Sequence, residues 1–273
     1  MSSGTHTSEH LLFNKSYLLK SRMRMITQAM GPMQDRTGLC IGLVPAAFRA
    51  RLMALGGEWT FTQAQHVPLP YKDGSFDRVL VLDHLEWVHD DYGFLADAHR
   101  VLKAAGLLYV DTEHHKRWTV WRPVRRLFGV EERQAERIRE GYTERGLFDL
   151  LKDGFDLQET RTYSRFFVEG AETVLRLTMG AFSGTARSDG ADQEEIEDPE
   201  LLNRRIARIQ SIAYPFFLLG AKLDWLLFYT HGYRLRALAR RRLWKPRRTP
   251  VLRDGRTLAD ATLNTRIGTA APF

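Results

Sequence analysis

A single cysteine, Cys40, holds all the thiol chemistry of this chain, so neither a disulfide framework nor a cysteine-rich metal site can form. It lies in the apolar run Gly38-Leu-Cys-Ile41, where a small buried hydrophobe is the expected role. Metal-ligand spacing is missing too. His89, Asp90 and Asp91 are adjacent, and three consecutive side chains do not converge on one ion as ligands spaced along a helix do, so no metal is expected. The opening MSSGTHTSEHLLFNKSYLL has no basic segment ahead of an apolar core and no small-residue cleavage site. Secretion is not expected, and the cytoplasm is. Also lacking is an unbroken apolar run of the ~20 residues a spanning helix requires. The most apolar stretch, Leu201 to Arg242, is interrupted by Lys222 and Asp224 and weakened by Pro215 and Gly220. Each ion at a bilayer centre would cost about 3 kcal/mol, which leaves a peripheral position as the membrane reading.

What is present is ordinary globular material: 273 residues, 44% hydrophobic and 27% charged. That suits one domain with an appendage. The net charge of +7 gathers at Lys116–Arg126 and Arg234–Arg248, which points to an anionic membrane surface or a protein partner. No recognisable nucleic-acid module accompanies these segments, so nucleic acid is not the expected partner. The chain divides into an N-terminal helical segment (1–36), a main domain (37–182), an acidic linker (183–200) and an apolar, basic helical appendage with its tail (201–273). Within the appendage, helices packed on the domain compete with helices lying shallowly in a headgroup layer.

The organising stretch runs from Leu69 to Val110. Lys72-Asp73-Gly74 is a turn, and Asp77-Arg-Val-Leu-Val-Leu-Asp83 is a run suited to a strand buried on both faces. Asp90 or Asp91 caps a helix through Lys103, Gly106 stops it, and Leu107 to Val110 begins the next strand. Strand, crossover helix and strand make a right-handed parallel βαβ unit. Further on, Thr143 reads as the cap of another helix, and Phe155 to Tyr163 as a strand. The sequence LP-Y-x-DGSFD-RVLVLD-HLEW, then AHRVLKAAGLLYV, resembles the second half of a class I S-adenosylmethionine-dependent methyltransferase domain of the type 11-like kind. The resemblance implies a Rossmann-like α/β fold, a mostly parallel sheet with helices on both faces, here followed by the helical appendage. It also implies S-adenosylmethionine as cofactor.

In such a family the first strand leads into D-x-G-x-G-x-G. Here only Gly42 stands, followed by Leu43, Val44 and Pro45, and a structural turn competes with cofactor contact for its role. The family places an acidic residue after the second strand to hold the ribose hydroxyls, where this chain has Gln63; an amide makes a weaker, uncharged bond. Gln65 stands near the position of an adenine-contacting aspartate. Between Gln63 and Leu69 there is no room for the customary helix and third strand. Asp83 and His84 end the fourth family strand, where open α/β sheets bind ligands. The resemblance makes Gly42, Gln63, Gln65 and Asp83 the cofactor candidates. His84 and His114 are the candidate bases, and Glu113 and His115 the substrate contacts. For His84 a hydrogen-bonded loop role competes, and for Glu86 a cap or ion pair does.

Two functions follow from these observations. One is a methyltransferase-like protein with an eroded cofactor site, serving as a non-catalytic binding or scaffolding subunit at a membrane surface. The other is an active methyltransferase on a lipid or other membrane-proximal small molecule, working by in-line displacement at the sulfonium methyl.

Overall fold

Alternating apolar residues in three short runs build the middle of a sheet that is covered on both sides. The computed structural model describes residues 13–64, 67–116, 119–127, 137–184, 199–227 and 229–244. Its strands are β1 (Thr37–Ile41), β2 (Glu58–Thr62), β3 (Phe76–Leu82), β4 (Leu102–Glu113), β5 (Phe155–Tyr163) and β6 (Arg234–Arg241). They lie in the order β2-β1-β3-β4-β6-β5. β1 pairs in parallel with β2 and β3, and β3 with β4, whereas β6 runs antiparallel to both β4 and β5. This is the expected doubly wound, mostly parallel architecture. Between Thr62 and Phe76 the described residues form no helix or strand, so β2 is the edge of the sheet.

Leu39, Ile41, Val79 and Val81 face α3 (Asp91–Val101) and α5 (Glu144–Leu151), meeting Phe94, Leu95, Leu147 and Leu151. Cys40, Leu80, Leu82 and Tyr109 face the other way, onto α1 (Tyr17–Met30) and α2 (Ala46–Met53). Met23 and Met30 of α1 fill that second core. Cys40 is free and fully buried, and burial pushes its thiol up to about 12, so it is inert filler. The helix starts are chemically marked. Asp90 accepts from the Gly93 N–H at 2.8 Å, and Thr143 accepts from the Gly146 N–H at 3.0 Å. α3 ends at Val101 rather than Lys103, because Leu102 already pairs with Phe76 at the start of β4.

The largest departure concerns the C-terminal third. Its helical part is α7 (Pro199–Leu226), which runs through Pro215 and packs against α6 (Phe166–Gly184). Phe217 stacks on Tyr17 of α1 at 5.7 Å, tying the helix to the domain. Asp224 is no interruption of an apolar face. It is buried at the start of α6, accepting the N–H groups of Phe167 (2.8 Å) and Val168 (3.2 Å). The basic stretch beginning at Arg234 does not continue the helix. Leu235, Ala237 and Ala239 are buried alternately between arginines, and this period of two makes Arg234–Arg241 a strand inside the sheet. Most of the segment read as an acidic linker, residues 185–198, lies outside the described residues, as do residues 1–12 and 245–273.

Replacing Asp224 by alanine removes both acceptors from the first turn of α6. Urea unfolding is expected to show a loss of about 1–2 kcal/mol, the usual range for a lost N-terminal cap.

Candidate functional site

The strand order changes direction between β1 and β3, and in open α/β sheets ligands bind in the crevice outside the carboxyl ends of strands at that point. Gly42 follows β1 there, and Asp83 follows β3. Asp83 has the left-handed φ of +50°, and its N–H donates to the Asp111 carbonyl at 2.9 Å. The two aspartates therefore leave adjacent strands side by side. Like charges at that separation repel, and two arginines from elsewhere in the chain offset the repulsion.

Arg22, on α1, donates from Nη1 to Asp83 at 2.6 Å and from Nε to Asp111 at 2.7 Å. Arg234, the first residue of β6, donates from Nη2 to Asp111 at 3.0 Å and also pairs with Asp83. Tyr163, closing β5, donates its hydroxyl to Asp111 at 2.7 Å. The Asp111 side chain is fully buried. Burial works against the charged form of Asp83, but the Arg22 and Arg234 guanidiniums outweigh it and hold the carboxyl well below the usual carboxylate range. Burial, then Asp111, push the Tyr163 hydroxyl upward, so it stays a neutral donor.

Beside this cluster Glu86 is buried, accepting from the Thr112 hydroxyl (2.5 Å) and the Glu113 N–H (2.7 Å). Burial, and next the charge of Asp83, raise its carboxyl above the ordinary value. Glu113 is paired with Arg137 at 2.8 Å. His115 is half-exposed, 3.9 Å from Glu140. His84 donates from Nε2 to the Ala64 carbonyl at 2.7 Å, and burial lowers its pKa despite that bond. His114 is bonded through Nδ1 to the Gly232 carbonyl at 2.8 Å, with its pKa likewise lowered by burial. Neither histidine has a recorded bond to the aspartate pair.

The cofactor cradle can be tested residue by residue. Gly42 has a φ of +132°, and a Cβ there would stand 2.1 Å from the Leu82 carbonyl oxygen. Close packing of β1 on β3 therefore demands glycine whether or not a ligand is present. Leu43 points to solvent, Val44 is buried in the core, and Pro45 precedes α2. Gln63 is exposed just past β2, with no carboxylate in its place. Gln65 lies outside the described residues. Asp83 is already held by two arginines. Among the described residues, these positions supply one glycine, one amide and an aspartate already paired, rather than the glycine-rich, acidic pattern that the resemblance implies. Among the described residues no group of metal-ligating side chains converges.

Several described cations of the basic segments turn inward. Arg125, on α4 (Trp121–Leu127), is buried against Glu169 at 2.6 Å, and Lys116 lies over the Tyr233 ring at 4.1 Å. Arg236 pairs with Glu159 at 2.8 Å. Together with Arg234, these cations answer carboxylates or rings within the domain.

The fold is the Rossmann-like fold seen in class I methyltransferases. Residues 40–110 match the family described as Methyltransferase domain. Among solved structures it is similar to the cyclopropane synthase MmaA2 from Mycobacterium tuberculosis, at 15% identity, 82% of this chain, 84% of that one and a TM-score of 0.50. The mycolic acid cyclopropane synthase CmaA1 matches at 13% identity, 82% and 84% coverage, and a TM-score of 0.49. A SAM-dependent methyltransferase from Thermotoga maritima matches at 17% identity, 85% and 92% coverage, and 0.44. No curated protein matches the sequence.

Reasoning from sequence alone missed Arg22, Asp111, Tyr163 and Arg234. The available signal was that two apolar strands, RVLVLD and LLYVD, both end in aspartate. Changing Asp111 to asparagine leaves both guanidiniums short of a buried partner and is expected to lower stability by about 3–5 kcal/mol in denaturant titrations. Asp83 has a depressed folded pKa, so its contribution is complete above about pH 4 and lost as pH falls toward the folded value. Unfolding curves of Asp83→Asn should therefore show a shallower decline below pH 4 than the parent protein.

Proposed function

We propose that this chain is a pseudoenzyme: a methyltransferase-fold subunit that binds or scaffolds at a membrane surface without catalysing methyl transfer. The observation that carries this reading is the aspartate pair clamped by Arg22 and Arg234. A ligand entering at the ends of β3 and β4 would have to displace a guanidinium from a buried carboxylate. Breaking such a pair typically costs several kcal/mol, which a cofactor lacking its usual glycine loop and ribose carboxylate does not recover. The Gly42 packing and Gln63 support the same reading.

The family match at residues 40–110 favours a second reading, an active methyltransferase on a lipid or other membrane-proximal acceptor. Calorimetric titration with S-adenosylmethionine separates the two. The expected result is no binding at millimolar cofactor; a micromolar dissociation constant would overturn the non-catalytic reading.

A further inference from the structure

α7 has two apolar sides, and the domain uses only one. Toward the core, Phe217 is buried with Ala213 and Ala221, and Gly220 lets the helix approach the Phe167 backbone closely enough that a Cβ would stand at 3.3 Å. The opposite side is Ile212, Phe216 and Leu219, at spacings of four and three residues, continued by Leu226, with Trp225 on the far flank of the exposed arc. Their exposures are 71%, 63%, 55%, 74% and 59%. Tyr229, just beyond the helix, is 72% exposed. Large apolar side chains gathered on one exposed helix side normally mark a contact, yet among the described residues nothing covers this side.

Charge selects the occupant. Between Ile206 and Leu226 the only acid is Asp224, which is buried at the start of α6. The two cations of the same span, Arg208 and Lys222, are both exposed, and helical spacing puts them on the uncovered side. A second copy meeting this face about a two-fold axis would bring these cations toward their own counterparts. An anionic headgroup layer instead pairs with them, while the apolar side chains enter the acyl boundary and the aromatic rings sit at headgroup level. No helix among the described residues is long and apolar enough to cross a membrane, and the core side of α7 is fixed to α6 and α1, so the helix would lie flat.

We infer that the outward face of α7, with Leu219, Lys222 and Leu226 along its middle and Phe216 and Trp225 on its two flanks, seats this protein on the surface of an anionic bilayer. This deepens the membrane part of the proposed function and is independent of the cofactor titration, so either can fail alone.

The test is co-sedimentation of the full chain with vesicles of phosphatidylcholine alone and of phosphatidylcholine with phosphatidylglycerol. Two cations at the surface predict roughly thirtyfold tighter partition onto the anionic vesicles, weakened by salt. The double variant Phe216→Glu, Trp225→Glu should remain in the supernatant. Both side chains are exposed, so its thermal unfolding should match the parent's and separate lost docking from lost folding. Bromolipid quenching of tryptophan fluorescence should fall when Trp225 alone is changed to phenylalanine. Equal recovery of the parent protein in the supernatant with both vesicle types would overturn the inference. So would vesicle binding that survives the double variant, or a solution dimer that the double variant abolishes in a protein that does not bind vesicles.

Discussion

Two carboxylates at the ends of neighbouring strands cannot be buried together without cations, and the arrangement of this molecule follows from that constraint. Asp111 is fully buried and Asp83 leaves β3 alongside it, so the pair requires positive charge brought from a distance. Arg22 comes from the first helix and Arg234 from the last strand. One electrostatic centre thus joins segments more than two hundred residues apart in the chain. It draws the N-terminal helix over the strand ends and fixes β6 beside β4. The same centre lies at the carboxyl ends of β3 and β4, beside the switch point at which a doubly wound sheet ordinarily receives its ligand.

The central βαβ unit was legible in the sequence because its signals are local. A turn, an apolar run, a capping aspartate and helical spacing all lie within Leu69 to Val110, and each constrains its neighbours. The Thr143 cap and the β5 strand were legible for the same reason. The segment from Arg234 to Arg241 was not. Its density of arginine suggested a solvated or lipid-facing end, although its small apolar residues alternate as a strand requires. What converts those arginines from surface charge to interior partners is the position of Glu159, Asp83 and Asp111, and such long-range pairing leaves no mark in local spacing. Asp224 was misread for a related reason. An acid within an apolar helix looks like an interruption until the start of α6 is placed against it.

The candidate site was legible in part. That Gly42 leads into Leu43-Val44-Pro45 and that Gln63 is an amide could be read from the sequence alone. The filling of the strand ends by Arg22 was not, because a basic residue on an amphipathic helix ordinarily faces water. Gly42 shows how one residue type can satisfy two explanations. Its absence of a side chain suits close approach to a cofactor, yet the Leu82 carbonyl already requires it.

The position of β6 in the sheet bears on how the protein is made. Among the described strands it emerges last from the ribosome, yet it must slide between β4 and β5, which have been synthesised long before. Until Arg241 is clear of the exit tunnel, β5 has no neighbour and the facing edge of β4 is open. The nascent polypeptide therefore carries two unpaired edges and a half-neutralised acid pair, a state that chaperones would be expected to shield and that premature termination would make permanent.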